Sequence, residues 1–178
     1  MKRILVAVDG SEPARKALAE ASALAARFGA KLEIVHVLLH RRPSEEFQRM
    51  AEIEHLLPRI PQDRLPDTGV QPGTVFLGPF ATPAAARRRV NDLALIEALG
   101  ETVLEDAKER AEEAGARDVK VATLDGDEAE AVIDHAAETG ADLIVVGSRG
   151  LGRLKGLVLG SVSRKIATHA KMSVLIAR

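Results

Sequence analysis

Three times along this chain a glycine–alanine pair gives way within a few residues to an apolar run. Gly29-Ala30-Lys31 leads into Leu32-Glu33-Ile34-Val35-His36-Val37, and Gly115-Ala116-Arg117 into Val119-Lys120-Val121-Ala122. Gly140-Ala141-Asp142 leads into Leu143-Ile144-Val145-Val146. A helix that stops at glycine and turns at once into a strand is the joint used by βαβ units. Repeated in this way, it confines the chain to alternating helices and strands, and so to a parallel sheet with right-handed crossovers. We read the repetition as geometric convergence, not as duplicated sequence.

Five strands are predicted, at 3–8, 32–38, 119–124, 143–147 and 173–177. The first contains the unbroken apolar run Ile4 to Val8, as expected of a strand covered on both faces. Asp9-Gly10-Ser11 interrupts it, and either Ser11 or Asp9 can cap the following helix, whose first turn holds Glu12 and Pro13. That helix is predicted to reach Phe28, with Ala17, Leu18, Ala21, Leu24, Ala25 and Phe28 on its buried face, and to end at Gly29. The expected fold is α/β: a single doubly wound, Rossmann-like domain over 1–178. Its five-stranded parallel sheet has the order 3-2-1-4-5, with helices on both faces. Ligands of such sheets sit beyond the carboxyl ends of the strands, where the strand order reverses. Here that crevice opens between the first and fourth strands.

Residues 40–91 differ in character and are predicted to form an insertion after strand 2. They hold seven of the eight prolines and three of the four phenylalanines. Ser44 to Leu57 can form a short helix with Phe47, Met50, Ile53 and Leu57 on one side. From Thr82-Pro83 a helical pattern runs to Ala114, with Gly100 as a candidate break. A mobile insertion, a lid and an oligomer contact all remain open, since loops of this length are functional or disordered. Arg87-Arg88-Arg89 reads as a solvated helix face.

Composition removes several classes of function. The net charge of −1 supplies no basic field for nucleic acid or for an anionic membrane. With no Tyr or Trp and four Phe, there is little for single-stranded bases to stack on. The absence of cysteine excludes disulfides, thiolate zinc sites and cysteine nucleophiles. The five histidines (His36, His40, His55, His135 and His169) show no metal-ligand spacing. Met1-Lys2-Arg3 opens like a signal peptide, but the apolar run ends at Asp9, too short for a secretory segment. Nothing approaches the roughly 20 apolar residues of a membrane span. Cytoplasmic residence is expected.

The most informative motif is Gly147-x2-Gly150-x9-Gly160-Ser161, which follows the run Leu143 to Val146 and opens a helix at Val162-Ser163-Arg164-Lys165. Glycines at the first two positions free the backbone and let a ligand approach bare peptide N–H groups. Gly160-Ser161 sets a hydroxyl and unpaired amides at a helix start, where an anion is favoured. The physical reading is a two-part phosphate cradle. Glycines in an ordinary strand-to-helix loop, with Ser161 as a helix cap, are the alternative. The spacing fits neither the dinucleotide fingerprint nor the P-loop, which needs a lysine at the helix start.

Asp9-Gly10-Ser11 after the first strand, Val35-His36-Val37, and Val146 to Gly150 with Gly160-Ser161-Val162-Ser163 together resemble the universal stress proteins, specifically their ATP-binding branch. The resemblance covers residues 1–39 and about 92–178, and leaves the insertion outside it. It implies ATP as the ligand, and a regulatory role in the stress response rather than efficient catalysis. By position, Asp9 would contact the ribose or adenine, with Ala7 and Val8 lining the pocket and the backbone of Val37 reading the adenine edge. Gly147, Arg149 and Gly150 would lie along the phosphates, and Gly160, Ser161, Val162 and Ser163 would grip them. Val146 and Gly126 complete the expected set. Asp9 can also approach a phosphate-bound Mg²⁺, or serve only as a cap. Arg149 can pair with phosphate or face solvent, and Lys155 is a weaker candidate of the same kind.

Two positions depart from the family's pattern. Gly126-Asp127-Glu128 stands where members carry Gly-x-Pro, so either Asp127 or Glu128 can turn toward the site. Ser173 replaces the proline that opens the last strand, which in the family pairs with its counterpart to form a homodimer. The expected function is ATP binding read out through dimer or protein-partner contacts. Alternatives are a slow ATPase or phosphotransferase, and a dimeric interaction module with a vestigial site. No catalytic residues and no protein metal site are assigned.

Overall fold

The computed structural model describes residues 1–38, 83–150 and 159–178, with the backbone alone over 83–95. Five strands form one parallel sheet: β1 (Arg3–Ala7), β2 (Lys31–Val37), β3 (Val119–Leu124), β4 (Leu143–Gly147) and β5 (Ser173–Ala177). Their order is β3-β2-β1-β4-β5, the expected one. Among the described residues four helices connect them: α1 (Glu12–Phe28), α2 (Pro83–Glu113), α3 (Glu128–Thr139) and α4 (Ser161–His169). The predicted short helix at Ser44–Leu57, the side chains of Arg87 to Arg89, and Lys155 lie outside the described residues.

The glycine–alanine joints are helix caps of one kind. Gly29, Gly115 and Gly140 all have positive φ, at 62°, 91° and 66°. The next residue's N–H reaches back five residues each time: Ala30 to the Ala25 carbonyl (3.0 Å), Ala116 to Ala111 (3.1 Å) and Ala141 to Ala136 (2.9 Å). This is the bond that closes a Schellman turn. An alanine fits there because Ala30 and Ala116 must bury themselves beneath the end of the helix. At the other end of α1, Ser11 is the cap, its Oγ accepting from the Ala14 N–H at 3.3 Å. Asp9 folds back instead, its Oδ1 accepting from the Ser11 N–H at 3.0 Å.

Alternation along the strands divides the core into two layers. Ile4, Val6, Leu32, Ile34 and Val145 face α1 and α2, while Leu5, Val35, Ile144 and Val146 face α3 and α4. All nine are buried.

Two sequence expectations need correction. Phe28 is 59% exposed rather than buried. The 17 residues of α1 extend about 26 Å, against about 17 Å for five-residue β1; in the last turn Ala25 still reaches the core, while Phe28 at the very end is left exposed. Gly100 does not break α2, which runs through it. A Cβ at Gly100 would stand 3.0 Å from both His36 Cδ2 and Leu38 Cδ2. The glycine lets the helix pass close over the end of β2.

Candidate functional site

At the carboxyl edge of the sheet lies a cavity of about 340 Å³, within the range of small-molecule sites. Its floor is built from the ends of three neighbouring strands: Ala7, Val8 and Asp9 after β1, Val35 to Val37 on β2, and Val146 and Gly147 on β4. Val132 of α3 supplies an apolar wall, and Arg149, Gly150 and Leu159 to Arg164 close the opposite side. Every described residue of the expected set lines this cavity except Gly126. Gly126 instead takes φ 116° in the turn after β3, and Glu128, two residues on, reaches the cavity.

The two glycine corners are tied together. The Ser148 carbonyl accepts from the Gly160 N–H at 2.8 Å and from the Ser163 hydroxyl at 2.9 Å. The Ser163 Oγ is therefore engaged in holding the loop, and it offers a ligand its backbone N–H rather than its hydroxyl proton. Ser148 and Ser163 are both buried, as such a clasp requires. A Cβ at Gly160 would come within 3.4 Å of Arg149 Cα, so the corners stand at close range.

Gly160, not Ser161, caps α4, in extended conformation and with no side-chain cap bond. The alternative reading of Ser161 as a mere helix cap therefore falls. Its side chain is exposed at the cavity. The first-turn amides of a helix have no intrahelical acceptor; those of Ser161, Val162 and Ser163 form the cavity's anion-attracting end. The exposed Arg149 and Arg164 flank that end.

The structure revises the reason for two of the glycines. Neither Gly147 nor Gly150 has positive φ. A Cβ on Gly147 would meet the Pro13 carbonyl carbon at 2.7 Å and the Ala14 nitrogen at 2.9 Å. Glycine is needed there so that the first turn of α1 can rest on the end of β4. A Cβ on Gly150 would lie 2.6 Å from Asp9 Oδ2, so this glycine leaves room for the carboxylate.

His36 is buried and its Nδ1 lies 2.8 Å from the Val8 carbonyl oxygen. Burial lowers its pKa below the ordinary 6.5, against the upward pull of the Val8 hydrogen bond and the Asp9 charge. The imidazole is therefore neutral at pH 7, with Nδ1–H donating to Val8, and it steadies the β1–β2 floor. Asp127 is drawn away from the cavity. Its Oδ1 caps α3 through Ala129 N and Glu130 N, both at 3.1 Å, and binds Lys165 Nζ at 3.1 Å. Those bonds lower its pKa, the Glu130 amide first and Lys165 next.

The match that decides the lineage is to the sequence profile of the Universal stress protein family, over residues 1–178. The chain belongs to the universal stress protein family. It is 33% identical to a universal stress protein of Bacillus subtilis, over 99% of this chain and 98% of that one. A universal stress protein solved in complex with cAMP is 26% identical, with a TM-score of 0.58, over 99% of this chain and 96% of that one. A universal stress protein from Lactobacillus plantarum superposes with a TM-score of 0.69 at 21% identity, covering 99% and 97%.

Within this universal stress protein fold, sequence reasoning missed Val132 and Arg164 as lining residues and left Glu128 unresolved against Asp127. Arg164 lies three positions past Ser161, and one turn of helix returns it to the cavity mouth. The same spacing rule puts Val132 one turn below Glu128 on a single face of α3. Among the described residues no group of three or more His, Asp or Glu side chains could hold a metal ion, and no helix is long and apolar enough to cross a membrane.

Proposed function

We propose that the cavity binds an adenine nucleotide, ATP foremost, and that its occupancy regulates contacts with a second copy of the chain or with a protein partner. The observation that carries this reading is the tied cradle. Ser148 holds Gly160 and Ser163 so that the open start of α4 faces the same cavity as Arg149 and Gly150. An anionic tail is favoured at that end by amides and dipole together. A flat base suits the apolar slot among Val35, Val37, Val132 and Val146. The cAMP complex of a 26% identical universal stress protein supports an adenine nucleotide as the ligand class. Mg²⁺, where present, would arrive on the phosphates beside Asp9.

In this reading Ala7, Val8, Asp9, Val37 and Val146 line the base and ribose, while Gly147, Arg149, Gly150 and Gly160 to Ser163 surround the phosphates. The homodimer would form through β5, which is paired on one side to β4 and carries half-buried Val174, Leu175 and Ile176 on the sheet's edge. Such an edge calls for covering.

The test is direct. Freshly purified protein is denatured and any released nucleotide identified by mass, and ATP binding and turnover are then measured. Bound adenine nucleotide with turnover below about one per minute supports a regulatory binder, since enzymes run nearer 10 per second. Rapid turnover would replace it with a phosphotransferase or ATPase. Absence of binding would leave an interaction module.

A further inference from the structure

We propose that Glu128 selects the ligand by its uncharged end, accepting hydrogen bonds from neighbouring donors such as an exocyclic amino group or a vicinal diol. The inference rests on the nucleotide reading above and adds to it a residue at which this chain departs from the pattern of the proteins it resembles.

Three acidic residues open α3, and the structure gives them different tasks. Asp127 is committed to the helix cap and to Lys165. Glu130 is exposed and binds the same lysine at 2.8 Å. Glu128 alone of the three lines the cavity. It is half-buried at the first position of the helix, one turn above Val132, which is 1% exposed and walls the apolar slot.

Strand order then decides which part of a ligand Glu128 meets. The residue follows β3, on the far side of β2, whereas the glycine corners follow β4, on the far side of β1. A nucleotide with its phosphates at Gly160 therefore extends its base and sugar toward Glu128. A carboxylate beside phosphates with no cation between them would repel the ligand. At the opposite end it meets only groups that can donate, and bonds to a charged acceptor are the stronger kind. Glu128 already interacts within the protein, but a carboxylate offers about four acceptor sites and keeps capacity for a ligand. Among the described residues the cavity therefore has Arg149 and Arg164 at the phosphate end, with Asp9 beside Gly150, and Glu128 at the other end.

Calorimetric titration of the full chain and of Glu128→Ala with ATP, 2′-deoxy-ATP and inosine triphosphate tests this. The unaltered protein should bind ATP about tenfold more tightly than one of the two analogues, the factor expected for one bond to a charged group. Loss with inosine identifies the amino group, and loss with the deoxy sugar identifies the diol. Glu128→Ala should weaken ATP about tenfold while leaving that analogue unchanged, so the cycle couples the residue to one ligand group. Glu128→Gln, which keeps the shape and a neutral acceptor, should fall between. Equal effects on all three nucleotides, tighter binding of all three, or no effect would overturn the assignment and leave nucleotide binding standing. If the unaltered protein binds none of them, the nucleotide reading fails and the assignment fails with it.

Discussion

Replacing Gly147 by alanine separates two explanations for the same glycine, one based on ligand and one on packing. The added Cβ would lie 2.7 Å from the Pro13 carbonyl carbon, 2.8 Å from its oxygen and 2.9 Å from the Ala14 nitrogen. The closest of these is about 0.7 Å short of the 3.4 Å at which ordinary contact begins, and all three partners are backbone, which cannot swing aside. Relief requires α1 to lift from β4, and α1 carries Ala14, Ala17, Leu18 and Ala21, all buried in the core. Overpacking of this kind costs about 1–3 kcal/mol, and rigid backbone on the receiving side argues for the upper half of that range. For a chain of this length that corresponds to a fall of about 5 °C or more in Tm. The assay is thermal unfolding by circular dichroism with nucleotide removed beforehand, because a bound ligand would itself raise Tm. Gly160→Val provides the contrast. Its first added carbon meets neighbours at 3.4–3.7 Å, and the local φ of −71° suits any residue. Its Tm should fall less than that of Gly147→Ala, by the roughly 1 kcal/mol that a valine cap costs α4, whereas its ATP binding should be lost because the branched side chain occupies the phosphate end. A Tm for Gly147→Ala within about 1 °C of the unaltered protein would refute the packing argument. Undiminished ATP affinity in Gly160→Val would refute the placement of the phosphates.

Stability should also respond to His36. Its folded pKa lies below 6.5 because burial disfavours the charged ring, so on acidification the unfolded chain takes up this proton first. The contribution is fully present above pH 6.5 and is lost as pH falls below it toward the folded value. Urea midpoints at about pH 7.5 and about pH 5.5 should differ, and less so in His36→Gln. An unchanged difference in that variant would assign the pH dependence to other groups. Light scattering at micromolar concentration should give twice the 19.0 kDa chain mass. A single chain's mass would remove β5 as a dimer edge.

Much of the fold was legible because its signals are local. A glycine that must adopt positive φ at Gly29, Gly115 or Gly140, and an apolar run covered on both faces, act through neighbours in the chain. The positions of the strands followed from them. The family resemblance brought Asp9, Val37 and the glycine motif toward one crevice, and the tertiary structure places them around one cavity. Gly126 was expected in the site, but it takes φ 116° in the turn after β3 and is not among the residues that line the cavity. Phe28 escaped because helical periodicity records a face but not where the sheet beneath it ends.

By itself, the sequence determined the alternating architecture, the caps that end its helices and the crevice where a ligand belongs. What stands opposite each residue was decided in three dimensions. Gly147 is a glycine because of Pro13, and Gly100 because of His36 and Leu38. The Ser163 hydroxyl is spent on Ser148, and Lys165 draws Asp127 outward while Glu128 lines the cavity. Each of these pairs residues at least 15 positions apart. Steric exclusion and hydrogen bonding act over a few ångströms of space, so only folding brings such partners within range.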